Sequence, residues 1–532
     1  MVSQKKRLWA ASRGVLAGGL PAVESLPTWE LVFSGMATIA SLLALTNATR
    51  VLEDVRALRA FGASADPLRV SRPALGDDDM AARRWVASRM EAAGLLGVQT
   101  DGLGTVYGSA GVDNAPALLM GSHTDTRGLV SWLDGALGLA YALEAARVLQ
   151  QGGAADWTAW SVIDWQLDES KRFGGTLLAP SAFVSEDAIF VPTKSLWSAR
   201  KHAGVAGVPV MHASGRHGGW AGYLEAHVER GARLKRADAA LGVAGAITGR
   251  RRLRLSCSGD TAADGTATDG SALGAATAEG ERPPPTLEAM RLSTKIDDGL
   301  RALCDAWEDG GCNGAWSFGD FEGFDGFTAE GGAAGANLTV ELRSSDGVLL
   351  DRMARLIGAT VGCRGCALQA AGPPVPATTL DAGLVDCVRH AAVATAGEAR
   401  VVAPMTSASV HAASSMAQVM PSAMLLVPSA GAGGGVDWDD ERTATELADG
   451  ARAFVRAAVG LALGACESEG GSTCILGDKR RNVRLSGSVA DWSEALGDDD
   501  EADGVERDVT GRAEPATADH GVGLDVEDYP DL

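Results

Sequence analysis

The sequence predicts an α/β protein interrupted by a smaller α+β module. Two observations carry the first half of that reading. Ala117-Leu-Leu-Met runs as a buried strand into Gly121-Ser-His, and the small-residue-rich helix Gly135 to Leu149 then leads to a second strand at Trp160-Ser-Val-Ile-Asp. Strand, helix, strand with polar residues at the strand ends is the order whose sites lie at the carboxyl ends of parallel strands. The third observation is a change of order between about Lys235 and Pro376, where a strand, a helix, two strands and a helix follow one another.

The elements follow from pattern and punctuation. Arg50 to Phe61 has helical spacing of Leu and Val, and Asp77 to Ala93 is an amphipathic helix with acidic residues in its first turn. In the interrupting module, Arg250-Arg-Arg-Leu-Arg-Leu-Ser alternates as a strand, Ile296 to Glu308 is a helix, Ala315-Trp-Ser-Phe and Asn337 to Arg343 are strands, and Val348 to Ile357 is a helix. Thr261 to Pro285, rich in Ala, Gly, Thr and Pro, reads as a flexible insertion within it. Afterwards Leu380 to Ala396 is helical, Ala423-Met-Leu-Leu-Val-Pro is a buried strand, and Thr443 to Leu463 is a long amphipathic helix. The expected organisation is an N-terminal extension at 1–48, the larger domain in two parts at 49–235 and 377–465, the inserted module at 236–376 and an acidic tail at 466–532.

Composition agrees with a folded chain and limits its partners. Of 532 residues, 46% are hydrophobic and 22% charged, which leaves ample material for a core. The net charge of −21 is concentrated at the end: Asp491 to Leu532 holds fifteen Asp or Glu against two Arg, about −13 of the total. That tail lacks the apolar residues to offset its ordering entropy and is expected to be disordered. No basic excess tracks aromatic residues, so nucleic acid is not an expected partner.

The eight cysteines make no disulfide framework in so long a chain, and Cys363-Arg-Gly-Cys366 reads as a reduced pair in a loop. A reducing cytoplasmic or organellar compartment is expected, although Asn47-Ala-Thr and Asn337-Leu-Thr are formal glycosylation sequons. Lys5, Lys6, Arg7 and Arg13 precede an apolar run from Met36 to Leu45, a pattern resembling a targeting segment but too short to span a bilayer.

The chemistry lies in a spaced set of metal-ligand residue types. His123 and Asp125 alternate in Ser-His-Thr-Asp-Thr, so on a strand Asp125 can accept a hydrogen bond from one ring nitrogen of His123 and leave the other for a cation. Asp134 stands at the start of a helix, where exposed backbone N–H groups favour a carboxylate that can bridge two cations. Asp168 and Glu169 are adjacent, which allows one to bind metal while the other takes a proton from water. His227 can complete one shell, and a further ligand is expected from His411 or from the acidic loop Val436 to Glu441.

With those residues in place, the chain resembles the allantoate amidohydrolase, N-carbamoyl-L-amino-acid hydrolase and β-ureidopropionase family, dinuclear metal amidohydrolases related to aminoacylases and zinc carboxypeptidases. AARRWVASRMEAAGL, GSHTDT followed by DGALGLAYALEAARVL, DESKRFGG, YLEAHVERG, GRRRLRL, ELRSSD, PPVP and LLVPS carry the resemblance in order, from about Arg50 to Leu463. It implies a zinc-aminopeptidase-like catalytic domain with the inserted module serving dimerisation and closure, two divalent ions, Zn or Mn, and a homodimer. Transferred residue by residue, His123, Asp134, Glu169 and His227 are implied metal ligands, with Asp437 the candidate fifth. Asp168 is the implied general base and Arg343 the implied contact for the substrate carboxylate; Asp125, as partner of His123, is counted with Asp168 among the catalytic candidates, and His411 with Arg343 among the substrate-binding ones.

The implied activity is hydrolysis of non-peptide carbon–nitrogen bonds in linear amides, with N-carbamoyl-amino acids or ureido compounds such as allantoate as substrates. The departures keep two alternatives open, a catalytically impaired binding homologue and an aminoacylase or peptidase. Asp168 stands where the family has Glu, and VDWDDE replaces a loop like SHSPDE. Arg230 replaces a Gln, ADGTAT replaces HAGTTP, VHAA replaces GHDA, and no NxIP motif precedes Arg343.

Overall fold

A computed structural model describes residues 39–64, 70–126, 133–166, 194–212, 216, 218–229, 231, 233–258, 284–307, 312–324, 335–361, 366–372, 374–428, 441–464 and 466. The N-terminal extension up to residue 38, the Ala- and Gly-rich insertion at 259–283 and the acidic tail lie outside them.

The chain begins with a short helix, α1 (Ile39–Leu43), and α2 (Ala48–Arg59), which starts where the Asn47 side chain accepts the Arg50 N–H. α3 (Asp77–Ala92) follows, with three aspartates in its first turn. The strands β1 (Leu96–Thr100), β2 (Val106–Gly111), β3 (Ala117–His123) and β4 (Ala159–Trp165) come next, with α4 (Leu133–Gln151) between the last two. α5 (Lys194–His202), β5 (Trp220–Glu229), α6 (Arg233–Arg236) and β6 (Leu241–Ile247) continue the larger unit. A second group comprises β7 (Gly249–Ser258), α7 (Pro285–Asp305), β8 (Ala315–Phe324), β9 (Gly335–Ser344), α8 (Gly347–Val361) and β10 (Cys366–Ala370). The chain closes with β11 (Thr378–Thr379), α9 (Ala382–Ala396), β12 (Val401–Ser407), α10 (Ala412–Met416), β13 (Ser422–Pro428) and α11 (Glu441–Leu463).

Two sheets result. The larger has the order β1-β2-β4-β3-β5-β13-β6-β11, with β12 on β6, and its centre is parallel: β4, β3, β5 and β13 all run the same way. β3 and β4 are buried along their whole length because layers cover both faces. Leu118, Met120, Val162, Leu224 and Leu425 point to the side of α4 and α11, while Leu119, Ile163, Tyr223 and Met424 point to the other. α4 is buried from Leu133 to Leu149, so its Ala, Gly and Leu content reflects close packing rather than an amphipathic surface. The smaller sheet, β10-β7-β9-β8, is antiparallel, and Leu255, Leu338, Val340 and Leu342 form its core with Leu292, Ile296 and Met353 of α7 and α8.

Two sequence expectations change. β6 belongs to the larger sheet, paired with β12 and β13, so the smaller sheet begins at Gly249, later than the composition shift near Lys235. That shift marks basic α6 and its turn, not a change of sheet. Cys366 is not half of a reduced CxxC; it is bonded across the β7–β10 ladder to Cys257, and Cys304–Cys312 and Cys387–Cys466 are also disulfides. These partners are 109, 8 and 79 residues apart, spacings that no local motif announces. Cys363 lies outside the described residues. Among the described residues no helix is long and apolar enough to cross a membrane.

Candidate metal centre

The carboxyl ends of β3 and β5 and the first turn of α4 meet at one buried point. β3 ends at His123, α4 carries Asp134 in its first turn, and β5 brings Glu225 and His227 on one face two residues apart. A Cβ on Gly135 would run into the carbonyl and ring of His123, and one on Gly138 into the Ala226 carbonyl. Glycine at both positions lets α4 seat directly on the strand ends. His123, Asp134, Glu225 and His227 are at most 4% exposed.

His227 is the hub. Its Nδ1 lies 3.0 Å from Asp134 Oδ1 and its Nε2 2.7 Å from Glu225 Oε1, with Ser122 Oγ 3.2 Å from the same nitrogen. Asp134 Oδ1 also accepts the Val228 N–H at 3.1 Å, and Glu225 Oε2 accepts the Ala413 N–H at 2.8 Å. Burial by itself lowers the pKa of His227, but Glu225 and Asp134 outweigh it and hold the ring well above its ordinary value. The His123 and His411 rings flank it, with centroids 5.6 and 4.1 Å away, and His411 Nε2 is 2.9 Å from Ser407 Oγ.

Beneath His123 lies a charged support. Its Nδ1 meets the backbone carbonyl of Asp125 at 3.0 Å, while the Asp125 carboxylate is farther, at 3.7 Å. The expected carboxylate acceptor is thus replaced by the main chain, because β3 ends at His123 and the alternation of faces stops there. The Asp125 carboxylate turns instead to Arg83, which also reaches Asp79 and Asp164 and donates to the carbonyls of Asp164 and Trp165. Burial raises the pKa of Asp125 to about 6 against the opposing pull of His123 and Arg83. Arg72 fastens the same turn, donating from Nε to the Thr124 carbonyl at 2.7 Å while its N–H meets Thr126 Oγ1.

Arg343, at the end of β9, donates from Nε to Glu341 at 2.7 Å and from Nη1 to the Ala408 carbonyl at 2.7 Å, linking the smaller sheet to the loop after β12. Asp168, Glu169, Asp437 and Arg230 lie outside the described residues. The structure therefore brings together His123, Asp134, His227 and His411 of the residues singled out in the sequence. Glu225 and Arg83 were not singled out. Glu225 had a signal, since it stands two residues before His227 on a strand; Arg83 had none, because its partners come from three separate segments.

Among the described residues no group of three or more His, Cys, Asp or Glu side chains is arranged to hold a metal ion. The chemistry of the gathered donors nevertheless suits one: two imidazoles and a carboxylate, buried together, are borderline and hard ligands of the kind Zn and Mn take. A ring facing a carboxylate on each nitrogen holds two protons, so His227 must release one to become a ligand. That leaves its other nitrogen on a carboxylate.

No family model matches the chain. It is 28% identical over 434 residues to an N-carbamoyl-L-amino-acid amidohydrolase from Paenarthrobacter aurescens, covering 75% of this chain and 96% of that protein. A ureidoglycolate hydrolase from Arabidopsis thaliana is 29% identical over 240 residues, 42% of this chain and 50% of that one. Among solved structures, a hydantoinase/carbamoylase family amidase from Burkholderia phymatum superposes with a TM-score of 0.61 at 28% identity, covering 78% of this chain and 98% of the other. In sequence over three quarters of its length, and in fold over a similar span, the chain is similar to an N-carbamoyl-L-amino-acid amidohydrolase and to a hydantoinase/carbamoylase family amidase.

Proposed function

We propose that the chain is a metal-dependent hydrolase of linear amides, acting on N-carbamoyl-amino acids or ureido acids. The observation that carries this is the buried meeting of His123, Asp134 and His227 at the ends of β3 and β5, in a chain whose relatives are amidohydrolases. Neither an impaired homologue nor a peptidase is favoured by those relatives.

In this reading His123, Asp134, Glu169, His227 and Asp437 hold two divalent ions, Zn or Mn. When bound, such ions supply Lewis acidity toward the substrate carbonyl and lower the pKa of water. Asp168 takes the proton from the attacking water, with Asp125 holding the turn beside His123. Arg343 binds the substrate carboxylate, and His411, against the His227 ring, faces the acyl group. The buried surroundings exclude bulk solvent, which strengthens each of these interactions. The module built on β7 to β10 is proposed to pair two copies of the chain, which light scattering decides.

The function is tested by loading purified protein with Zn or Mn and assaying N-carbamoyl-amino acids, ureidoglycolate and allantoate beside acyl-amino acids and dipeptides. Turnover of the carbamoyl or ureido compounds that falls steeply in Asp168→Asn supports the proposal. Hydrolysis of none of them, with Asp168→Asn indistinguishable from the parent, sinks it.

A further inference from the structure

A cavity of about 210 Å³ opens beside His411. Glu229 of β5, Arg233 and Arg236 of α6, Ser407 at the end of β12 and Ala408 just after it share its wall. It adjoins the candidate metal centre, since the His411 ring lies tilted against that of His227, with centroids 4.1 Å apart. It also adjoins Arg343, whose Nη1 donates to the Ala408 carbonyl in that wall. Two guanidinium groups of α6 thus border this small space, and a third, from β9, is bonded to its wall.

The charges of Arg233 and Arg236 are not used elsewhere. Both side chains are exposed, and neither takes part in an ion pair or hydrogen bond among the described residues. The cavity's one carboxylate, Glu229, is committed to the main chain: it accepts the Leu234 N–H at 3.2 Å and the Arg233 N–H at 3.4 Å at the start of α6. A guanidinium presents its N–H donors in the fork that a carboxylate matches.

We propose that this cavity is a second anion subsite and that the substrate is dianionic, an N-carbamoyl derivative of an acidic amino acid. Its α-carboxylate meets Arg343 and its side-chain carboxylate meets Arg233 and Arg236, while the carbamoyl group lies toward His411 and His227. The inference rests on the hydrolase reading and adds the substrate class to it. A neutral side chain of the same size leaves both arginines without a partner, so discrimination falls on charge rather than bulk.

Metal-loaded full-length protein assayed with N-carbamoyl-L-glutamate and with its isosteric partner N-carbamoyl-L-glutamine tests the proposal. A charge-assisted hydrogen bond predicts a kcat/KM at least about tenfold higher for the glutamate derivative, carried mainly by KM. In the double variant Arg233→Gln, Arg236→Gln that ratio falls toward unity. Equal handling of the two substrates by the parent overturns the subsite while leaving the hydrolase reading intact. Failure to hydrolyse any carbamoyl compound overturns the hydrolase reading instead. Calorimetric titration with N-carbamoyl-L-glutamate then decides the subsite without turnover: binding that weakens about tenfold in the double variant supports it, and binding that is absent or unchanged overturns it. Circular dichroism of the double variant, matching the parent, excludes unfolding as the cause.

Discussion

Glu225 Oε1 lies 2.7 Å from Nε2 of His227, on the side of the ring opposite Asp134. With Nδ1 turned to Asp134, the Glu225 carboxylate fixes which nitrogen keeps a proton when the other binds a cation, the carboxylate–histidine–metal arrangement that raises ligand basicity. Glu225→Gln keeps the shape of the side chain and removes its charge. Zn or Mn affinity, read by calorimetry, should fall about 10–100-fold with the fold intact. Unchanged affinity would show that Glu225 serves only the Ala413 N–H.

Gly135→Ala is expected to act on stability and cation binding together. Its methyl group would collide with the His123 carbonyl and ring, both buried, and neither has room to retreat. Overpacking of this kind costs about 1–3 kcal/mol, visible as a lower urea midpoint at unchanged slope, with weaker metal retention after dialysis. A midpoint equal to the parent's would mean that α4 can shift away from β3.

Arg83→Met should destabilise the chain by about 3–5 kcal/mol, since it leaves Asp79, Asp125 and Asp164 buried around a missing cation. Arg83→Lys should recover only part of that loss, because an ammonium cannot reach three carboxylates and two carbonyls at once. Denaturant unfolding of the two variants measures both effects. A loss under about 1 kcal/mol for Arg83→Met refutes the account, because it matches a solvated surface pair.

The disulfides make a chemical prediction. Peptide mapping without reductant should recover Cys257 with Cys366, Cys304 with Cys312 and Cys387 with Cys466. The double change Cys257→Ser, Cys366→Ser opens a loop of 109 residues and is expected to cost about 2–5 kcal/mol. Such pairs persist in oxidising compartments, so all-thiol protein isolated from its native source would contradict the pairing.

Cation removal should be reversible and measurable without substrate. Chelation is expected to lower the unfolding temperature, and Zn or Mn at about 100 times its dissociation constant should restore roughly 2.7 kcal/mol. Asp134→Asn should abolish that response; a full response in the variant removes Asp134 from the ligand set.

What could be read in the sequence was local. The helix at 77–92 announces itself by its acidic first turn, and the strand before Gly121-Ser-His by its unbroken apolar run, which is buried along its whole length. GSHTDT, the aspartate before Gly135 and the histidine of β5 were legible because each sits within a few residues of an element end. β6, which falls inside the expected bounds 236–376 of the inserted module, is not legible in this way, since its partners β12 and β13 lie far along the chain. The Arg83 cluster and the Cys257–Cys366 bond were hidden for the same reason: a contact between distant segments leaves no periodicity behind. Glu225 does leave a local signal, because strand alternation places it on the same face as His227, two residues on.

The smaller sheet leaves and rejoins the larger one through a single doorway. β7 departs at Gly249 just after β6, and the returning chain runs back beside it, with Arg250 N–H on the Val375 carbonyl at 2.8 Å and Val375 N–H on the Arg250 carbonyl at 2.9 Å, before β11 pairs with β6. An appendage attached in this way can be lengthened, exchanged or lost in descent without re-routing any other strand. The half that carries His123, Asp134 and His227 and the half that carries Arg343 are therefore joined at one place only, so a change of length or sequence in one need not alter the strand order of the other.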